Sequence, residues 1–160
     1  MKYYYFAYGS NMNLQEMKKY VNNNMKIIGI GKLHNYIFKY RIFKNRRLSG
    51  KANIEKHKNS NVYGIIYEIH TNLSGKGLER LHKKEGYFNL TYLISFYNVK
   101  LVYPLIKTNK KYINCFSYFM NPFKVKEKGK PSIQYQNNIL KAAKKYNFPE
   151  TYIKKYLTYF

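Results

Sequence analysis

An α+β or barrel-like fold in a single domain is what this sequence predicts, and three observations predict it. Strand-like segments dominate the middle of the chain and helical periodicity returns at its end, without the alternating strand and helix units of a parallel doubly wound sheet. The chain has 160 residues, a length that suits one sizeable core and is short for two, so one domain over residues 1–160 is expected. Its 45% hydrophobic and 19% aromatic content supplies enough apolar surface to offset the entropy of folding.

The elements follow in order. Aromatic residues from Tyr3 to Tyr8 suit a strand, because rings pack well on a pleated surface. Gly9-Ser10-Asn11 ends it with turn chemistry that exposes backbone N–H groups. Met12, Glu16, Met17 and Tyr20 then recur at helical spacing, which predicts a helix starting near Asn11 or Asn13 with Asn as its cap. A strand, a glycine turn and a helix start form a cradle of N–H groups sized for a carboxylate or a phosphate; the same pattern also serves as an ordinary strand-to-helix connection. Lys26–Phe43 predicts a short strand and then a longer one from Lys32 or Leu33. Residues 45–61 are polar and read mostly as loop, with a short strand near Ala52 and Ile54. Val62–His70 predicts a buried strand with Tyr63, Ile65, Tyr67 and Ile69 on one side, and Gly64 leaves room for a close neighbour. Leu78 and Leu81, between Gly77 and Gly86, suit a short helix closing near Lys84 or Glu85. Tyr92–Ile106 and Lys111–Met120 read as two strands joined around Lys107 to Lys110, and a loop is expected from Asn121 to Ser132. Pro131 opens the last helical region, where Ile133, Asn137, Leu140 and Lys144 lie one turn apart. Phe148-Pro149 interrupts it before a final short helix over Thr151–Tyr159.

Composition narrows the function classes. No segment approaches the roughly eighteen uncharged apolar residues of a spanning helix, and the start of the chain lacks a secretory pattern, so a cytoplasmic protein without a membrane partner is expected. Cys115 is the sole cysteine, which excludes an internal disulfide and cysteine-based zinc clusters. The formal charge of +23 comes from 30 basic and 7 acidic residues, a balance that draws polyanions nonspecifically. Most of the basic residues are lysines spread from Lys2 to Lys155; only Arg41, Arg46, Arg47 and Arg80 offer the guanidinium fork of specific phosphate and base contacts. Asp is absent while Asn and Tyr abound, a pattern that coding bias explains as readily as a ligand does. A basic nucleic-acid-binding module is the alternative, weakened because Tyr and Phe fall at strand-core spacing and not on a separate stacking platform.

Few residues offer chemistry. His34, His57, His70 and His82 lack metal-ligand spacing, so no metal is predicted. Cys115 sits in an apolar strand pattern, which reads as a buried inert thiol. Ser10 lacks the G-x-S-x-G context of a serine hydrolase. Glu85 is the unusual residue: it follows His82, Lys83 and Lys84 at a helix end, where the helix dipole disfavours a carboxylate. Solvated ion pairing is the plain alternative for it.

The blocks "YFAYGSNM", "LHKKEGYFNLTY", "SYFM", "PSIQY" and "YNFPETYIKKYL", in that order across nearly the whole chain, resemble the gamma-glutamylcyclotransferase family. The resemblance implies a small mixed β-barrel with flanking helices, and an enzyme that converts gamma-glutamyl amines or amino acids into 5-oxoproline plus the released amine, without metal or cofactor. It implies a substrate loop of Tyr8, Gly9, Ser10 and Asn11 that cradles the glutamyl group, and substrate-pocket roles for Tyr92 and Tyr118; the backbone N–H groups of Gly9 to Met12 suit either the substrate carboxylate or the developing oxyanion. The family's proton-carrying acid corresponds to Glu85 within Leu81-His82-Lys83-Lys84-Glu85-Gly86. Substrates of such proteins include glutathione, free gamma-glutamyl amino acids and gamma-glutamyl-lysine. Two departures stand out: His82 occupies the block's usual aspartate position, and Met17 stands where relatives often carry arginine. An inactive relative that keeps the fold is the corresponding alternative. Lys83 and Lys84 are expected to point outward, leaving the Glu85 carboxylate free to act as a base.

Overall fold

The computed structural model describes residues 1–44, 49–71, 76–87 and 95–159. Within them, strands β1 (Lys2–Ala7), β2 (Met25–Phe43), β3 (Lys51–His70), β4 (Tyr97–Val102), β5 (Leu105–Ile106), β6 (Cys115–Met120) and β7 (Val125–Lys128) join in one mixed sheet. Its order is β4-β6-β1-β3-β2-β5, and β7 also pairs with β2. Helices α1 (Leu14–Val21), α2 (Lys76–Lys84), α3 (Ile133–Lys145) and α4 (Glu150–Tyr152) accompany it, and α4 runs into a wider turn over Ile153–Leu157. The fold is α+β, as expected. Among the described residues the pairing does not run from β4 back to β5, so "barrel" describes the sheet only loosely. No described helix is long and apolar enough to cross a membrane.

β1 occupies the centre. It runs antiparallel to β3 from Lys2↔His70 to Ala7↔Ile65 and parallel to β6 at Tyr5↔Phe116. Phe6 and Ala7 are wholly buried there. Gly64 on β3 is required by that crowding, since a Cβ would stand 2.5 Å from the Ala7 carbonyl oxygen and 2.7 Å from the Phe6 ring.

The long β2–β3 pair corrects two expectations. The two strands read within Lys26–Phe43 are one continuous strand, with register shifts at Ile27/Gly29 and His34/Tyr36 taking the place of a break. The polar segment expected to be mostly loop is strand from Lys51 onward, because ladder hydrogen bonds come from the backbone and β2 supplies a partner along nearly its whole length. At the second shift His34 faces Asn61 while Tyr36 faces Lys56, so the residues between Lys56 and Asn61 bulge outward. There Asn35 and Asn59 take positive φ, a conformation Asn tolerates better than most residues. The Asn121–Ser132 loop is likewise corrected: β7 forms inside it against β2, pairing Phe43 with Val125 and Arg41 with Lys128.

Helix ends were more legible. Asn13 caps α1, its Oδ1 accepting from the N–H groups of Gln15 at 2.9 Å and Glu16 at 3.4 Å, after a single 3₁₀ turn over Ser10–Met12. α2 closes at Gly86, whose φ of +64° belongs to a left-handed C-terminal cap; Gly86 N–H donates to the Lys83 carbonyl at 3.0 Å and Tyr87 N–H to that of His82 at 2.9 Å. Ser132 caps α3 through Oγ, which accepts from Tyr135 N–H at 3.2 Å. The face read for α3 is wrong. Gln136, Ile139, Ala142 and Ala143 are buried, while Ile133 is 65% exposed. Small alanines let the helix approach the rest of the fold closely on that side, and a spacing of four alone cannot choose between neighbouring faces.

Candidate active site

The loop between β1 and α1 is drawn tightly onto β3. Gly9 has φ −114°, so it is not needed for left-handed backbone; a Cβ there would lie 2.9 Å from the Ala52 Cβ, and close approach is what excludes a side chain. Tyr67 anchors the loop from below, donating to the carbonyls of Asn11 at 2.9 Å and Met12 at 3.2 Å. Asn11 is itself buried. Its Nδ2 donates to the Tyr5 hydroxyl at 2.8 Å and to Glu85 Oε1 at 2.9 Å.

Glu85 follows α2 directly, and the Gly86 turn sets where it points. Its side chain is 14% exposed. Oε1 also lies 2.9 Å from Lys84 Nζ, and the same ammonium donates to Asn11 Oδ1. Lys84 therefore turns inward, contrary to expectation: at the docked end of α2 its ammonium finds two acceptors that water would otherwise replace. Lys83, its neighbour around the helix, is exposed as expected. Both contacts to the carboxylate use Oε1, and Oε2 has no hydrogen-bond partner among the described residues.

A narrow pocket lies over this carboxylate, lined by Tyr8, Gly9, Ser10 and Asn11 on one side and by Tyr97, Tyr118 and Tyr135 on others. Several phenols are anchored in place. Tyr8 donates to the Tyr118 carbonyl at 2.5 Å, Tyr97 donates to the Ala52 carbonyl at 3.0 Å, and the Tyr135 oxygen accepts from Ala52 N–H at 3.2 Å. Burial first, with the Glu85 charge adding to it, raises Tyr5, Tyr8, Tyr97 and Tyr118 well above the ordinary phenol value. Tyr135 is pushed up to about 12 by burial. These side chains stay neutral and can donate hydrogen bonds.

Of the residues named from sequence, the fold brings Tyr8, Gly9, Ser10, Asn11, Tyr118 and Glu85 to one pocket. Met12 is not brought there: its N–H donates to the Gly9 carbonyl at 3.0 Å and its side chain is fully buried in the core. Tyr92 lies outside the described residues. His82 is no surface substitution. Its Nδ1 is 2.7 Å from the Tyr118 hydroxyl, its ring packs on Tyr87 and Tyr118, and burial lowers its pKa. Met17 is wholly buried, so position 17 serves core packing instead of contacting the pocket. Cys115 is buried and its thiol is pushed up to about 12 by burial, as an inert core cysteine should be. Tyr5, Lys51, Tyr97 and Tyr135 line or brace the site without being candidate site residues in the sequence, and Lys84 braces it against the expectation that it points outward. Tyr5 opens the "YFAYGSNM" block and Tyr135 closes "PSIQY", the local signals among them.

The family model described as AIG2-like matches residues 61–156, more than half of the chain. The chain belongs to the AIG2-like family. Solved structures extend the similarity over the opening loop that precedes the matched range. A structure named gamma-glutamyl cyclotransferase superposes with TM-score 0.77 at 24% identity, covering 97% of this chain and 86% of that one. An uncharacterised protein from Homo sapiens gives TM-score 0.78 at 26% identity, covering 96% and 85%. YkqA from Bacillus subtilis gives 0.70 at 23% identity, with 96% of this chain matched to 52% of YkqA. No curated protein matches the sequence. In this AIG2-like chain the family match includes α2, Glu85 and Tyr118, whereas Gly9 and Asn11 join the site through the shared fold. Among the described residues no group of three or more His, Cys, Asp or Glu side chains could hold a metal ion.

Proposed function

We propose that this chain is a gamma-glutamylcyclotransferase, cyclising the glutamyl part of a gamma-glutamyl amino acid or amine to 5-oxoproline and releasing the amine. The observation that carries this reading is how Glu85 is held: Oε1 is fixed by Asn11 and Lys84, and Oε2 has no partner among the described residues at a tyrosine-lined pocket. A carboxylate steadied through one oxygen and open at the other is suited to take up a proton and give it back.

In the reaction, the substrate α-ammonium gives a proton to Glu85 Oε2. The freed nitrogen attacks the side-chain carbonyl carbon, forming the new C–N bond of a five-membered lactam. The tetrahedral intermediate then expels the amine by breaking the original C–N bond as Glu85 returns its proton to that nitrogen, and the second proton, lost by the ring nitrogen through the same carboxylate, goes to the released amine, which leaves as its ammonium ion. Atoms and charge balance without water or any co-reactant. Because the attack is intramolecular, the pocket's task is to fold the glutamyl chain into a ring-closing pose and to exclude hydrolysis. The Gly9–Asn11 backbone and the hydroxyls of Tyr5 and Tyr135, whose oxygens accept from Asn11 and Ala52, supply donors for the substrate carboxylate or the developing oxyanion.

The test is release of 5-oxoproline by the purified chain, without added metal, from a panel of gamma-glutamyl amino acids, gamma-glutamyl amines and glutathione. Turnover of at least one is expected. Absence of turnover by folded protein, beside an active control enzyme, would overturn the assignment in favour of an inactive relative.

A further inference from the structure

The narrow pocket adjoins a wider cleft of about 450 Å³, and Ser10, Glu85, Tyr97 and Tyr135 line both. Under the cyclotransferase reading, on which this inference rests, Glu85 stands between the two spaces. A glutamyl group folded in the inner pocket therefore directs its amine half into the outer cleft.

The outer cleft has an excess of positive charge. Among the described residues, Lys51, Lys83 and Lys84 line it against the carboxylate of Glu85 alone. Lys84 is already engaged by Glu85 and Asn11. Lys51 and Lys83 pair with no carboxylate among the described residues. Lys51 is half-buried, and its Nζ sits 4.2 Å from the centroid of the Tyr135 ring, a cation–π contact that holds the ammonium at the cleft wall. Burial, with the Lys84 charge as a second cause, lowers its pKa, so a bound anion would relieve both costs. Phe43 and Phe96 complete the wall with apolar surface suited to a short aliphatic stem.

Two ammonium groups without a carboxylate partner, facing the same cleft, complement two negative charges on one ligand. We infer that the outer cleft is a leaving-group subsite for an amine carrying two carboxylates. The preferred substrate class is then the gamma-glutamyl derivative of an acidic amino acid or acidic peptide, ahead of neutral and cationic amines.

The experiment compares kcat/KM for gamma-glutamyl-glutamate, gamma-glutamyl-alanine and gamma-glutamyl-putrescine at low and high salt. The acidic substrate is expected to lead the neutral one by about tenfold at low salt, chiefly through KM, with the cationic substrate last and the spread narrowing as salt rises. Lys51→Gln and, separately, Lys83→Gln should reduce the acidic-to-neutral ratio toward one; Lys83 is exposed, so its replacement tests the inference even if the Lys51 variant folds poorly. Lys58→Gln, an equal change in net charge at an exposed position on β3, should leave the ratio as it was. Equal or reversed preference in the parent, or an equal loss of preference in the Lys58 variant, overturns this inference and leaves the cyclotransferase reading standing. Failure to turn over any of the three, or any member of the wider panel, overturns that reading and this inference with it.

Discussion

Glu68 and Glu85 are both carboxylates largely withdrawn from water, with side chains 7% and 14% exposed, yet they are held in opposite ways. Glu68 sits near the end of β3 and is satisfied from several directions: Oε1 lies 2.7 Å from His70 Nε2 and 3.0 Å from Lys26 Nζ, and Oε2 is 3.9 Å from Lys2 Nζ. The His70 hydrogen bond, then that of Lys26, pulls its carboxyl down to about 2. Those partners are surface side chains. Glu85 has its contacts gathered on one oxygen, from Asn11 in the loop that lines the pocket and from Lys84 at the end of α2. The difference separates a carboxylate used as a tie between strands from one that is positioned while keeping an oxygen available. Burial alone does not distinguish them; the distribution of partners does.

The largest expected effect sharpens this contrast. Glu85→Gln keeps side-chain volume but cannot carry a proton, so turnover should fall by about two to four powers of ten with folding preserved. Glu68→Gln, measured in parallel, should leave turnover unchanged. Near-parental turnover in a well-folded Glu85→Gln protein would remove Glu85 from the proposed mechanism.

Next comes Asn11→Ala, which takes away the clamp on Glu85 Oε1 and leaves the carboxylate with Lys84 alone. Misplacing a reacting group by about 1 Å can cost about a hundredfold, and kcat should fall on that scale while a thermal melt shows the fold intact. Unchanged kcat would mean that Lys84 positions Glu85 unaided.

Gly9→Val follows, with overpacking against Ala52 expected to destabilise by about 1–3 kcal/mol. Because the strain is a contact and not a backbone conformation, the Gly9→Ala variant should recover stability when combined with Ala52→Gly. Failure of that rescue, read as Tm, would show that position 9 needs glycine for its backbone.

The smallest effects are in the pH dependence of stability, and they place the two regions in different windows. Glu68 has a depressed pKa in the folded chain, so its contribution is complete above the ordinary value of 4.5 and is lost as pH falls toward about 2. Glu68→Gln should flatten the melting curve in that range. His82, behind Tyr118, has its pKa lowered by burial from 6.5. Stability is therefore unaffected by it above that value and declines below it, as the unfolded chain takes up the proton first. His82→Gln should flatten this earlier decline and leave the more acidic one intact. A single acid limb unaltered by either variant would contradict both assignments.

The site was readable where its signals are local. Tyr8 to Asn11 form one continuous strand end and turn, Glu85 precedes a glycine that can close a helix, and Asn13 is a cap with hydrophobic periodicity after it; each depends on neighbours a few residues away. Tyr97, Tyr135 and Lys51 were not readable in the same way, because their roles arise from contacts between elements distant in the chain, such as Tyr97 to Ala52 and Lys51 to Tyr135 on α3. The polar part of β3 was missed for a related reason. Its side chains carry little strand signal, and its strand character comes from the backbone of β2 beside it. Lys84 was misjudged because its direction depends on where the end of α2 docks, and composition says nothing of that.

By itself the sequence determined that the chain has an apolar core of mixed strands and helices, that a glycine turn follows the first strand, and that an acidic residue stands at the close of a short helix. Periodicity, capping and turn chemistry are set by adjacent residues, so they survive being read along a line. Only the tertiary structure decided that the turn and the acid meet, that Asn11 joins them, that one carboxylate oxygen has no partner among the described residues, and that lysines from β3 and α2 face the same cleft. Those relations link residues up to 74 positions apart, and they exist only because β1 lies between β3 and β6 and draws the loop beneath the end of α2.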